Sequence, residues 1–173
     1  LLRILQWAIM HMHKVTANHP LSVFLSEINS GEVGLAFAVA VVYMVPTLLT
    51  YLYGEEYKLT SFHKLLSAIC ENVVKRIEKG EKVRLLLSVP PQHGKSMTIT
   101  ETLPSWFIGR NPDLRCIVTA YNADIAEKFG DKNRQKVKDF GKELFGIEIS
   151  ESQDNKTLWD IKGHQGGLFA TGL

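Results

Sequence analysis

The chain has 173 residues, 45% of them hydrophobic and 22% charged, an ordinary globular composition that is enough for about one domain with a sizeable core. A formal net charge of only +2 excludes bulk positive charge as a reason for binding nucleic acid, so any basic surface must be local. Cys70 and Cys116 both sit in apolar-patterned stretches and read as buried free thiols in a reducing compartment, not as a disulfide or metal pair.

Residues 1–19 place Leu1, Leu2, Ile4, Leu5, Trp7, Ala8, Ile9 and Met12 at mixed helical spacing. His11 and His13 are two apart, so a helix puts them on different faces and they make a poor metal pair. Asn18-His-Pro20 breaks the element, Leu21 to Ile28 is spaced for a second short helix, and Asn29-Ser-Gly31 breaks it again. Val33 to Tyr53 then runs 21 residues without a charge, long enough to span a bilayer if helical at about 1.5 Å per residue. Pro46 near its middle and the weak charge bias of its flanks favour a buried packing helix broken at Pro46. A membrane helix or the core of a targeting segment is the alternative. A chain that begins at Leu1 and ends at Leu173, just after a Gly-rich segment, reads as a fragment cut at both ends.

From Thr60 the pattern is clean. Phe62, Leu65, Leu66, Ile69, Cys70, Val73, Val74 and Ile77 recur at three- and four-residue intervals, which predicts an amphipathic helix of about five turns. Ser61 is its expected N-cap and Gly80 its expected C′ residue. Leu85, Leu86, Leu87 and Val89 follow as an apolar run fit for a strand buried on both faces. Pro90 and Pro91 stop it, and Gln92-His-Gly-Lys-Ser96 leads into helical pattern from Met97. Strand, tight turn and Gly-Lys-Ser is the order in which a chain builds a cradle for nucleotide phosphates. Gly94 lets backbone approach an anion, Lys95 supplies a point charge for the β- and γ-phosphates, and the Ser96 hydroxyl is placed for Mg²⁺. Val89 stands where the usual motif has its first glycine.

Pro104 either kinks the next helix or begins a new turn carrying Trp106 and Phe107, and Gly109-Arg-Asn-Pro112 stops it. Leu114 to Tyr121 is a second strand. Asn122 is placed to cap a helix over 123–140 whose inner face is Ile125, Ala126, Phe129, Val137 and Phe140. Its outer residues mix Lys128, Lys132, Arg134, Lys136 and Lys138 with Asp124, Glu127, Asp131 and Asp139. That reads as a solvated face of mixed-sign pairs, with phosphate-backbone contact as the alternative. Residues 157–161 and 168–171 predict two short strands around a polar turn, with His164 a turn residue. Alternation of strand and helix predicts a parallel sheet covered by helices.

In this order, residues 57–173 resemble the amino-terminal ATPase part of phage terminase large subunits, the motors that drive viral DNA into a capsid. Ser61-Phe-His63, the whole of Arg84 to Ser96, Trp106 to Pro112, Thr119 to Ala126 and Gly166 to Gly172 carry the resemblance, and Pro-Pro-x-His-Gly-Lys-Ser is its most distinctive part. The resemblance implies an incomplete α/β P-loop NTPase of the RecA-like (ASCE) type. This would be a three-layer sandwich on a parallel central sheet, preceded by an apolar helical leader over 1–56. It also implies that Gln92, His93, Gly94, Lys95, Ser96 and Met97, with Phe62 and His63 on the adenine side, hold ATP. Lys95 would be catalytic and Ser96 a Mg²⁺ ligand. Tyr121, Asn122 and Lys128 would couple to double-stranded DNA. The implied partners are DNA, a portal protein, a small terminase subunit and further copies in a ring, in the cytoplasm of a bacterial host.

The family often places an arginine within the phosphate loop, where this chain has Pro91 and Gln92; Arg84 and Arg110 are the substitutes at hand. The acidic pair expected at the end of the next strand does not occur before Leu173, so slow or no ATP hydrolysis is expected of the chain alone. Two other readings remain at this stage: a helicase-like phosphate-loop ATPase acting on nucleic acid, and a nucleotide-binding protein tethered to a membrane by Val33–Tyr53.

Overall fold

The computed structural model describes residues 60–173. The leader 1–56, including the His11–His13 pair and the Val33–Tyr53 segment, lies outside the described residues. The chain divides into two compact units, Leu1–Ala68 and Ile69–Leu173. Among the described residues no helix is long and apolar enough to cross a membrane.

Helix α1 spans Ser61–Glu78. Its cap lies one residue earlier than the sequence predicts. The Thr60 carbonyl accepts the Lys64 N–H at 3.1 Å, and the Thr60 hydroxyl lies 2.8 Å from His63 Nδ1. Its other end follows the sequence closely. Gly80 takes φ +80, its N–H donates to the Ile77 carbonyl and the Glu81 N–H to that of Arg76. This is a Schellman closure, which needs a left-handed residue that glycine adopts without strain.

Residues 81–90 form no strand, against the expectation of a buried one. Leu85 is 47% exposed and Leu86 95%. An apolar run becomes a strand only where another row of N–H and C=O groups faces it, and among the described residues none faces this one. After the loop come α2 (Lys95–Ile99) and α3 (Leu103–Arg110), with Pro104 in the first turn of α3. Pro104 therefore starts a helix instead of kinking one, as the missing N–H of proline allows at that position.

The sheet holds β1 (Arg115–Ala120), β2 (Ile149–Asp154), β3 (Leu158–Ile161) and β4 (Gly167–Gly172) in the order β1-β4-β3-β2. It is mixed, not parallel throughout. β1 and β4 pair parallel, while β3 runs antiparallel to both β4 and β2. Connection length decides this: a parallel pair needs a crossover of about a dozen residues or more. Only the path from β1 through helix α4 (Ala123–Phe145) to β4 is that long. The short turns at 155–157 and 162–166 can only join hairpins.

Helix α4 is longer than the sequence predicts. Asn122 caps it by accepting the Asp124 N–H at 2.7 Å, and Gly146 ends it in the left-handed conformation. It lies against β4 and β1. There Val118, Ala126, Val137, Trp159, Ile161, Leu168 and Ala170 form the core together with Ile108 of α3. The buried side of α4 is Ala126, Gly130, Asn133, Val137, Gly141 and Leu144, with two glycines where larger side chains would hold the sheet away. The other sheet face presents Ile117, 66% exposed, beside Phe169. Among the described residues helices thus cover one face.

Both cysteines are free. Burial pushes the Cys70 thiol up to about 11, with a contribution from Glu71, and the Cys116 thiol up to about 12, so both stay protonated and inert at neutral pH.

Gly130 is where α4 comes closest to the β2–β3 turn: a Cβ there would sit 2.3 Å from the Lys156 carbonyl oxygen and 2.9 Å from Ala170 Cβ. Gly130→Ala is expected to destabilise the chain by about 2 kcal/mol or more, read as a lower urea midpoint. An unchanged midpoint would show that helix and sheet are not seated this tightly.

Candidate phosphate-binding loop

The turn between the proline pair and α2 is built from two left-handed residues. Gln92 has φ 62, the only non-glycine residue with positive φ among the described ones, and Gly94 has φ 72, ψ 8. For a residue with a Cβ this conformation costs about 1–2 kcal/mol, which the surroundings must offset. His93 contributes: its Nδ1–H donates to the Pro91 carbonyl at 2.7 Å, closing the turn across Gln92. Tight turns with residues in the left-handed region are among the backbone forms that bring successive N–H groups together around an anion.

The Gly94 carbonyl accepts twice from Thr98, from its N–H at 3.0 Å and from its hydroxyl at 3.1 Å. Thr98 is fully buried, so the loop is riveted to the one side of α2 that faces inward. Lys95 and Ser96 at the start of α2 are exposed, and Met97 is half-buried. Lys95 and Ser96 thus remain open to a ligand, while Thr98 does the holding.

Hydroxyls continue the lock beyond α2. Thr102 Oγ1 donates to the Met97 carbonyl at 2.8 Å and Ser105 Oγ to the Thr102 carbonyl at 2.8 Å. Thr98, Thr102 and Ser105 are all buried, and each has its hydrogen bond, as buried polar groups require.

Asn133 of α4 completes the bracket. Fully buried, it donates from Nδ2 to the Thr100 carbonyl at 2.8 Å and to the Phe129 carbonyl at 2.8 Å. Its Oδ1 accepts the Ser105 N–H at 2.9 Å. The Lys132 ammonium reaches the Glu101 carboxylate at 2.7 Å on the same joint. Sequence reading missed Asn133, because a lone asparagine in a run of lysines and aspartates looks like surface.

The other expected site residues stand on other elements. Phe62 and His63 occupy the first turn of α1 with their rings edge to face at 5.4 Å. They lie in the unit Leu1–Ala68. Tyr121 is 81% exposed just past the end of β1, Asn122 is the cap of α4, and Lys128 is exposed six residues further along it. At 1.5 Å per residue, Asn122 lies roughly 16 Å along α4 from Asn133, so the cap of the helix and the loop are tied to different stretches of it.

Arg110, one of the two arginines set against the missing loop arginine, is committed elsewhere. Its guanidinium donates twice to Glu78 at 3.1 Å and lies 5.1 Å from the centre of the Trp106 ring. Arg84 is exposed.

The basic residues of α4 are mostly paired. Arg134 bridges Asp131 and Asp154, Lys138 joins it on Asp154, and Lys142 pairs with Glu148. The mixed-sign reading of this helix holds. Lys128 makes no ion pair among the described residues.

Residues 86–171 match a family described as terminase large subunit, T4likevirus-type, N-terminal. Neither curated proteins nor solved structures give a match.

Burial pushes the Lys136 ammonium down to about 8, against the pull of Glu101 and with the help of Lys132. Between pH 8 and the unfolded value of about 10.4 the folded chain therefore binds fewer protons than the unfolded one, and stability rises with pH through that window. Lys136→Met is expected to be more stable than wild type at pH 7, with the gap narrowing as pH climbs from 8 to 10. Parallel stability curves for the two proteins would contradict it.

Proposed function

We propose, from the premise that residues 86–171 belong to the amino-terminal part of the T4-like terminase large subunit family, that this chain holds ATP for a DNA-packaging motor. Family membership supports a component of phage DNA packaging; the nucleotide chemistry is our reading of the loop. The observation that carries it is the Pro90-Pro-Gln-His-Gly-Lys-Ser96 turn. It has left-handed backbone at Gln92 and Gly94, with Lys95 and Ser96 exposed at the start of α2.

On this reading the backbone around His93 and Gly94 cradles the phosphates and Met97 follows into the helix. The Lys95 ammonium would meet the β- and γ-phosphate oxygens, and the Ser96 hydroxyl would be a ligand for Mg²⁺. Mg²⁺ would supply charge neutralisation on the phosphates. The chain's own work is positioning, because phosphoryl transfer asks a protein chiefly for alignment and fixed charge. The central fold would be that of a P-loop ATPase. Among the described residues β1 pairs only with β4, and its other edge is where a further parallel strand would add.

The motor reading adds double-stranded DNA, the portal, a small terminase subunit and further copies in a ring as partners, within the host cytoplasm. Tyr121, Asn122 and Lys128 are the residues it assigns to DNA coupling, supported by the exposure of Tyr121 and the unpaired state of Lys128 among the described residues.

Titration calorimetry with MgATP and MgADP tests the nucleotide claim. Saturable binding is expected for the wild-type chain and is weakened about 10- to 100-fold in Lys95→Ala, the loss of one charge-assisted contact set. Adenosine, which has no phosphate, is expected to bind far more weakly than either. Nucleotide binding indifferent to Lys95, or none at all, would overturn the reading.

A further inference from the structure

The joint between the phosphate-loop helix and α4 is built around one side chain. We propose that Asn133 is a positioning residue for the phosphate loop: it fixes α2 by its carboxyl end so that Gly94, Lys95 and Ser96 present one geometry to phosphate. The inference rests on the nucleotide reading above and extends it to a residue outside the loop.

Helix ends leave carbonyls and N–H groups without intrahelical partners. The end of α2 and the start of α3 lie only a few residues apart, so orphan groups of both kinds meet at this corner. Asn133 serves both. Its Nδ2 donates to the Thr100 carbonyl, at the carboxyl end of α2, while its Oδ1 accepts the Ser105 N–H, in the first turn of α3. The second Nδ2 proton goes to Phe129 on its own helix, which fixes the rotation of the amide. Only a group carrying two donors and an acceptor in one plane can make this set. Asparagine is the shortest side chain that does.

The consequence for the loop follows from the length of α2. A helix of five residues has little stability of its own, so its direction is set by what grips it. At the amino end Thr98 holds the Gly94 carbonyl; at the carboxyl end Thr102 ties the Met97 carbonyl within the α2–α3 corner, and the grip from α4 is Asn133, seconded by the surface pair Lys132–Glu101. Released at that end, α2 can pivot about Thr98, and the Lys95 and Ser96 side chains swing with it.

The test compares Asn133→Asp with Val137→Ala. Aspartate keeps the acceptor for the Ser105 N–H and loses both donors, so it releases α2 selectively. Val137 is buried on the same face of α4 and makes none of these bonds, so its truncation supplies general destabilisation of the same helix. Asn133→Asp is expected to weaken MgADP binding at least tenfold and to speed amide exchange at Thr98, Thr100 and Glu101, whereas Val137→Ala leaves both at wild-type values. If a buried carboxylate prevents folding, the uncharged Asn133→Ser carries the same expectations. Wild-type affinity in Asn133→Asp, or an equal loss in Val137→Ala, would overturn the positioning role while leaving Lys95 in place. A wild-type chain that binds no MgADP would instead overturn the nucleotide reading beneath it.

Discussion

Two hydrogen bonds of one buried amide tie the loop side of this chain to its sheet side. Asn133 stands on the face of α4 that packs on β1 and β4, and it reaches past that core to close the ends of α2 and α3. Its removal would leave a buried carbonyl and a buried N–H without partners, each worth about 1–3 kcal/mol of desolvation. On the positioning proposal, the direction in which Lys95 and Ser96 are presented depends on that closure. The exposed Lys95 and Ser96 ride on a five-residue helix that cannot hold its own direction.

The loop itself carries conformational cost at Gln92, and the structure shows how the cost is met. His93 ties back to Pro91 and Thr98 takes the Gly94 carbonyl twice, so the left-handed turn is held from both sides. Strained backbone held by its surroundings is a recurring property of binding loops, because the same constraint that stores strain also prevents rearrangement. On the amino side the loop has no such support among the described residues: Leu85 and Leu86 lie exposed with no ladder partner.

Much of the architecture is legible in the residues themselves. The three-four spacing over Phe62 to Ile77 and the glycine at position 80 mark α1, because helix period and a left-handed terminus are local properties. Asn122 announces a cap, and Gly163 to Gly167 announce the β3–β4 hairpin. What is not local is not legible. The run Leu85 to Val89 has the composition of a buried strand, yet pairing decides strand formation. β2, spelled Ile-Ser-Glu-Ser-Gln-Asp, has almost no apolar signal and forms because β3 lies beside it. The polar, charged sequence suits an exposed edge. Within the site, Gly94, Lys95 and Ser96 are a motif readable in order along the chain. Asn133 lies thirty-odd residues on, and its role exists only once α4 folds back over α2. The inner face of α4 also carries glycines 130 and 141, whose signal is closeness instead of hydrophobicity.

The central claim is that the Gln92–Ser96 turn receives the phosphates of a nucleotide. Backbone amide shifts measured by two-dimensional NMR during titration with MgADP address it at single-residue level. The account predicts the largest changes at His93, Gly94, Lys95 and Ser96, smaller ones passing to Thr98 and Thr100, and none of this pattern with adenosine. Shifts centred on another part of the chain, or no shifts at saturating MgADP, would contradict it.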